Sequence, residues 1–146
     1  MNVKYLPFEE FKNIYSRVPR LTVEVIIKTK NGILLVKRTI PPRKGLWHIP
    51  GGTVLMGEKI EDSVKRVAKN ELNFEVRSKK LLGIIEYNFS DENYFSFPIG
   101  LAYEVDIIAE IKNSKTKIDE FKYFKKIPDN TIIEQKEFLE NIYYKK

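Results

Sequence analysis

Residues Gly51–Glu58 read GGTVLMGE, and a helical pattern follows directly over residues 59–72. Paired glycines allow the backbone to approach a ligand closely, and a backbone carbonyl oxygen is a good ligand for a hard cation. The helical pattern consists of apolar residues at a spacing of three or four: Ile60, Val64, Val67, Ala68 and Leu72. The stretch therefore predicts a strand end, a glycine loop and an amphipathic helix.

One acidic side chain on this helix is placed to reach the glycine loop. Residues 67, 70 and 71 lie on neighbouring parts of one helix face, and only Glu71 among them is acidic. A carboxylate at Glu71 that faces the Gly51 carbonyl predicts a site for Mg²⁺ or Mn²⁺, completed by water and a substrate phosphate.

The rest of the chain mixes strand and helix patterns. Segment 74–87 is predicted to be either a strand pair or one long strand with a bulge at Gly83. A turn is expected at residues 90–93, and its tip, Asp91–Asn93, is a place where substrate specificity often resides. Other strands are predicted at Thr22–Thr29, Ile33–Lys37, Tyr94–Ile108 and Phe121–Phe124, and other helices near the N-terminus and after Thr131. This pattern predicts an α/β or α+β sheet covered by helices.

Composition limits the classes of function. The 146 residues predict a single domain over 1–146, and 26 basic against 20 acidic residues give a net charge of +6, which favours anionic ligands. The lysines are spread along the chain, so we expect no nucleic-acid partner. The chain contains no cysteine, and no leader or membrane-spanning segment is recognised, so we expect a cytoplasmic protein without a membrane partner.

Gly52, Glu58, Arg66 and Glu71 fall at the spacing of a Nudix box, and the chain is similar to the Nudix hydrolase superfamily over about Leu21–Phe124. The resemblance implies an α/β/α sandwich with a mixed β-sheet. It also implies metal-dependent hydrolysis of a nucleoside diphosphate joined to another group. In such a protein the first three of these residues support the geometry of the loop and helix, while Glu71 holds the metal with the Gly51 carbonyl.

The box is incomplete at three positions. Val67 and Asn70 stand where two glutamates are usual, and Asn73 stands where a glycine closes the box. Within the superfamily the chain resembles the GDP-mannose mannosyl hydrolases, which share the loss of the two glutamates. That resemblance implies a nucleotide-sugar substrate, attack at the sugar carbon rather than at phosphorus, release of a nucleoside diphosphate, and a homodimer.

The general base is an open question in the sequence. The mannosyl hydrolases use a histidine at the position that corresponds to Ile118 in this chain, directly before Asp119 and Glu120. Either acidic residue, Asp119 or Glu120, could be the base or could complete the metal site, and the single histidine, His48, is a further candidate for the base. Two other hypotheses stay open: a nucleotide-binding module without efficient turnover, and a pyrophosphohydrolase with a relocated base.

Three more residues are candidates for substrate contact. Arg38 could neutralise the diphosphate charge, both in binding and in catalysis. Arg43 lies in a proline-rich loop and either closes over a phosphate or carries exposed charge. Glu24 on the first predicted strand either binds a purine edge or is a half-exposed strand carboxylate.

Overall fold

A computed structural model describes residues 4–40, 43–88 and 95–144 of the chain. The predicted turn at 90–93, with Asp91–Asn93 at its tip, lies outside these ranges, as does the first residue of the predicted strand Tyr94–Ile108. The elements are α1 (Phe8–Tyr15), β1 (Pro19–Thr29), β2 (Gly32–Lys37), β3 (Trp47–His48), β4 (Gly51–Thr53), α2 (Ile60–Leu72), β5 (Phe74–Glu86), β6 (Phe97–Glu110), β7 (Phe121–Phe124) and α3 (Ile133–Tyr143).

The strands form a mixed sheet in the order β3-β2-β1-β6-β5, with β4 paired to β1 and β7 paired to β2. Strand β1 runs parallel to β6, while the other strand pairs are antiparallel. Along β4, Gly51 lies opposite Glu24 and Gly52 lies opposite Val23. The glycine loop therefore starts beside the central strand of the sheet.

Two helices cover the two faces of this sheet, so the predicted α/β/α sandwich with a mixed sheet is confirmed. Alternate residues of β1, starting at Val23, pack with the apolar stripe of α2 in one core cluster. Ile26 of the same strand packs in a second cluster with Leu139 of α3. Because side chains alternate across a strand, Glu24 shares the α3 side with Ile26. No helix in the described ranges is long and apolar enough to cross a membrane.

The ambiguous segment at 74–87 is one long strand. Strand β5 pairs with β6 along its whole length, and one of its register shifts falls between Leu81 and Gly83, where a bulge was expected. Strand β6 continues through Pro98 and Gly100 without interruption. Its pairing on both sides, with β1 and with β5, holds it in register despite these two residues.

Candidate active site

The glycine loop is fastened to α2 by a partly buried ion pair. Arg66 Nε lies 2.8 Å from Glu58 Oε2, and Arg66 Nη2 donates to the Thr53 carbonyl at 2.7 Å. Ser63 Oγ also donates to Glu58, at 2.5 Å. Burial opposes ionisation of Glu58, but the bonds from Arg66 and Ser63 outweigh it and hold the pKa of Glu58 below its usual value. The structure thus brings Glu58 and Arg66 together as the expected brace.

The other end of α2 explains one departure from the Nudix box. Asn73 is the C-cap residue with φ +56°, in the left-handed region, and its N–H bonds back to the carbonyls of Ala68 and Lys69. Asparagine adopts this conformation more readily than most residues, so it can replace the closing glycine without a change in the cap.

Glu71 lies where the sequence predicts a metal ligand. The backbone N–H of Gly51 faces the Glu71 carboxylate and acts to lower its pKa, while Glu71 Oε2 is buried and finds no hydrogen-bond partner among the described residues. Burial and the nearby charge of Glu24 raise the pKa of Glu71 to about 8. A buried carboxylate oxygen without a partner is costly, so this atom is positioned for a ligand that the polypeptide does not supply.

The two lost helical glutamates have different surroundings. Val67 is 2% exposed, and its Cγ2 lies 3.1 Å from where a Cβ on Gly52 would stand. Asn70 is exposed and donates to Tyr5 Oη at 3.1 Å, as does Arg66 Nη1. The helix side of the glycine loop is therefore apolar at position 67 and tied to the N-terminal segment at position 70.

Glu24 is buried, with 5% of its surface exposed, so the prediction of a half-exposed strand carboxylate is wrong. It faces α3, where the Tyr87 hydroxyl donates to Glu24 Oε1 at 2.9 Å and Thr22 Oγ1 donates to the same atom at 3.2 Å. Gln135 of α3 donates to the Tyr87 hydroxyl at 2.7 Å and accepts the Ile49 N–H at 2.6 Å. Burial raises the pKa of Glu24 to about 7, against the effect of the bonds from Tyr87 and Thr22.

Two neighbouring cavities of about 220 Å³ each share three lining residues. Arg38, His48 and Glu71 line both of them. The first, the inner cavity, is also lined by Arg20, Thr22, Glu24, Ile49, Gly51, Gly52, Tyr87, Asn88, Ser96, Pro98, Ile132 and Gln135. The second, the outer cavity, is also lined by Val36, Thr39, Ile40, Asn70, Lys117, Ile118 and Asp119.

His48 stands on the shared wall of the two cavities. Its Nδ1 lies 2.9 Å from the Ile49 carbonyl oxygen, which can only accept a hydrogen bond. Nδ1 therefore carries the proton, and Nε2 of the neutral ring is left as an acceptor. Burial and the charge of Arg38 lower the pKa of His48, although the Ile49 bond and Asp119 act in the opposite direction.

The residues of the loop before β7 do not all line the cavities. Ile118 and Asp119 line the outer cavity, whereas Glu120 lies outside both linings and its carbonyl accepts the Lys37 N–H at 2.9 Å. Arg43 is likewise outside both linings within the described ranges, and its guanidinium is paired with Glu134 at 3.4 Å. Arg38, by contrast, lines both cavities. A phosphate group bound to it in the inner cavity would lie in the same cavity as Glu71 and the glycine loop.

Among the site residues that sequence reasoning missed are Tyr87, directly after β5, and Gln135 of α3. Both are far from the glycine loop in sequence, and Gln135 is linked to Glu24 through the Tyr87 hydroxyl. A signal was present, because Gln135 is a polar residue among the apolar positions of the terminal helix and is 4% exposed. A buried glutamine within an apolar face needs polar partners.

The arrangement suits a divalent cation. Glu71 Oε2 supplies a buried, unpartnered carboxylate oxygen, and the cavity beside it also contains Glu24 and the Gly51 backbone. No cluster of three or more His, Cys, Asp or Glu side chains that could hold a metal occurs in the described part of the chain. Mg²⁺ needs no such cage, since it is commonly bound by one or two carboxylates together with water and substrate phosphates.

Comparisons with known proteins agree with this geometry. A family model described as the NUDIX domain matches residues 18–133. The chain is 38% identical over 88 residues to the low-salt glycan biosynthesis protein Agl8 of Haloferax volcanii, covering 59% of this chain and 56% of that protein. It is 37% identical over 90 residues to an ADP-ribose pyrophosphatase of Methanocaldococcus jannaschii, covering 62% and 52%. These alignments span about half the length of either relative.

Solved structures share the fold. The MutT Nudix hydrolase of Burkholderia pseudomallei aligns with a TM-score of 0.71 at 22% identity, covering 86% of this chain and 98% of that one. A UDP-X diphosphatase aligns with a TM-score of 0.66 at 18% identity, covering 96% and 72%. Together with the family match, which covers most of the sequence, these findings establish that the chain belongs to the Nudix family.

Proposed function

We propose that this protein is a hydrolase, dependent on Mg²⁺ or Mn²⁺, that acts on a nucleoside diphosphate joined to a sugar or a similar group. The observation that carries the proposal is the buried, unpartnered Oε2 of Glu71 at the junction of two cavities. A substrate made of two moieties joined by a diphosphate matches two cavities that share one charged wall. Arg38 lines both cavities and supplies positive charge where the diphosphate would cross.

One group of residues would bind the cation and the diphosphate. Glu71 and the Gly51 carbonyl would hold the cation, which when bound would neutralise charge on the diphosphate. Glu58, Arg66 and Gly52 fix the loop relative to the helix. Arg38 binds phosphate oxygens, since a guanidinium spreads its charge over several acceptors.

His48 is the side chain we assign as the base that activates water. Its ring is held by the Ile49 carbonyl with Nε2 as the acceptor, and it lines both cavities. Its lowered pKa keeps the ring neutral at pH 7, which is the state that a base requires. Asp119, on the outer cavity, is the alternative base. Glu120 lines neither cavity, which makes it the weaker candidate for base or metal ligand.

The names of the relatives support a substrate of this class. ADP-ribose is a nucleoside diphosphate joined to a sugar, and one relative is described as an ADP-ribose pyrophosphatase. Another relative is described as a glycan biosynthesis protein, and a neighbour in fold is described as a UDP-X diphosphatase.

We place the attack at the sugar carbon rather than at phosphorus. Of positions 67, 70 and 71 on the helix face, only Glu71 carries a carboxylate, because position 67 is apolar core and position 70 is an asparagine. A site with fewer carboxylates holds fewer cations, and a metal that stabilises a departing diphosphate suffices for attack at carbon. The pyrophosphatase names favour attack at phosphorus, so this alternative has its own predicted product.

The test is a product assay on nucleotide sugars, including ADP-ribose and GDP-mannose, with Mg²⁺ or Mn²⁺ in ¹⁸O-labelled water. Attack at carbon gives nucleoside diphosphate and labelled free sugar. Attack at phosphorus gives a nucleoside monophosphate and one labelled phosphate product. Binding without any product would contradict hydrolysis and favour a nucleotide-binding module. His48→Gln should lower kcat about 100-fold if His48 is the base, whereas Asp119→Asn should do so if the base is Asp119.

We also propose that the protein is a homodimer. Helix α1 buries none of its residues within the chain, and Phe8 on this helix is 62% exposed. An apolar side chain left outside the core in this way is available to a second copy. Analytical ultracentrifugation at micromolar concentration should give twice the mass of 17.2 kDa, and a monomer mass would contradict the proposal.

A further inference from the structure

Two glycines make room for the carboxylate of Glu24. A Cβ on Gly51 would collide with Glu24 Oε2, and a Cβ on Gly100 would lie 2.6 Å from Glu24 Oε1 and 2.9 Å from its Cγ. Glycine inside a strand weakens that strand, so its presence at position 100 of β6 calls for a local reason. The reason visible here is the slot that holds Glu24 against the backbone of Gly51.

A chain of hydrogen bonds fixes how Glu24 is turned within this slot. The Ile49 N–H can only donate, so it sets the Gln135 amide with its oxygen towards Ile49 and its nitrogen towards Tyr87. The Tyr87 hydroxyl therefore accepts from Gln135 and donates its own proton to Glu24 Oε1. Thr22 donates to the same oxygen. Both hydrogen bonds that Glu24 accepts from the described residues thus end on Oε1, while Oε2 lies towards Gly51.

The consequence is that two buried carboxylates stand close to one loop. Glu24, Glu71 and Gly51 all line the inner cavity. The negative charge of Glu24 acts to raise the pKa of Glu71. Two carboxylates that approach each other out of water repel strongly unless a cation lies between them.

We propose that Glu24 is the second carboxylate of the cation site, with Oε2 completing the ligands offered by Glu71 and Gly51. The helix has lost the acidic residues at positions 67 and 70, and strand β1 supplies the missing negative charge from the opposite side of β4. Two carboxylates, one carbonyl and the substrate phosphates make a ligand set that Mg²⁺ commonly uses. This inference rests on the cation of the proposed function, while the ligand from β1 is an addition to it.

The test is a Mn²⁺ titration followed by the loss of the free-ion electron paramagnetic resonance signal, without substrate. The variants are Glu24→Gln, Glu71→Gln and the matched control Glu104→Gln. Glu104 lies on β6 and accepts the Tyr143 hydroxyl at 2.6 Å, so it is also a strand carboxylate with a tyrosine partner but lies outside both cavities. Thermal unfolding in chelator checks that each variant folds.

We expect the unmodified protein and Glu104→Gln to bind Mn²⁺ alike, Glu24→Gln to bind at least about tenfold more weakly, and Glu71→Gln to show no binding. Glu24→Asp, which retains the charge but withdraws it by one methylene group, should also weaken binding about tenfold and serves as a second variant. If both Glu24 variants bind as tightly as the control while Glu71→Gln fails, the inference is overturned and the proposed function stands. If the unmodified protein binds no Mn²⁺, both are overturned.

Discussion

Two successive glycines of strand β4 face opposite sides of the sheet, and the two sides differ in chemistry. Gly52 faces α2, where Val67 packs against it in an apolar core cluster. Gly51 faces the α3 side, where Glu24 occupies the space that a side chain would need. The α2 side is held by the Glu58–Arg66 pair, and a separate hydrogen-bonded chain of Glu24, Tyr87 and Gln135 lies on the α3 side, called the strand side here. Loss of helical carboxylates therefore need not mean loss of the cation site.

The largest effect should come from Glu71, the carboxylate that lines both cavities. Glu71→Gln retains the shape of the side chain but removes the charge at the junction of the cavities, so activity should fall by at least about 100-fold. Steady-state kinetics with saturating Mn²⁺ measures this. Glu61→Gln, on the exposed face of the same helix and ion-paired with Lys65, is the control and should leave the rate unchanged. Equal rates for the two variants would remove Glu71 from the site.

Restoring a helical carboxylate on the apolar side should damage the protein rather than improve the site. Val67→Glu places a charge in the core beside Gly52, and we expect a loss of about 3 kcal/mol or more in the free energy of unfolding, or about 10 °C in Tm. Asn70→Glu, at an exposed position, is the matched control with a small change. A Val67→Glu variant of unchanged Tm that binds a second Mn²⁺ would show that the helix side is open to cations.

Glu24 and Glu71 should make the free energy of unfolding depend on pH when no metal is present. Folded Glu24 and Glu71 have pKa values of about 7 and about 8, above the ordinary 4.5. The folded state therefore binds more protons than the unfolded state between these values. The contribution of these groups is fully present below pH 4.5 and is lost as pH rises to about 8.

Urea denaturation in chelator at pH 5 and pH 8 measures this loss. The Glu24→Gln and Glu71→Gln variants should each show a smaller fall in the free energy of unfolding than the unmodified protein. Added Mn²⁺ should restore part of the stability at pH 8, because it binds the ionised carboxylates. Identical pH slopes for all three proteins would contradict the raised pKa values.

The smallest effect should come from the N-terminal contact on the helix side. Tyr5 is 62% exposed and accepts hydrogen bonds from Arg66 and Asn70. Tyr5→Phe should change the free energy of unfolding by no more than about 0.5 kcal/mol and leave Mn²⁺ affinity unchanged. A large loss of Mn²⁺ affinity in Tyr5→Phe would contradict this expectation and show that the contact on the α2 side contributes to cation binding.

Local sequence patterns predicted the loop and the helix that form the site. They did not predict which of its side chains are buried, because burial depends on contacts between distant segments. The glycine loop, α2 and the Glu58–Arg66 brace follow from spacing within about twenty residues, and the structure has all of them. The burial of Glu24 did not follow, because it depends on Gly100 and Tyr87, which are more than sixty residues away. Arg43 was expected at a phosphate or in solvent, and its pairing with Glu134 of α3 was equally out of reach of local reasoning.

The most direct test of the cation site is a crystal structure with Mn²⁺, using anomalous scattering to locate the ion. We expect one peak within about 2.5 Å of Glu71 Oε2, Glu24 Oε2 and the Gly51 carbonyl oxygen. A peak on the outer side of Glu71, bounded by Asn70 and Asp119 with Glu24 out of reach, would contradict the assignment of the strand side as part of the cation site.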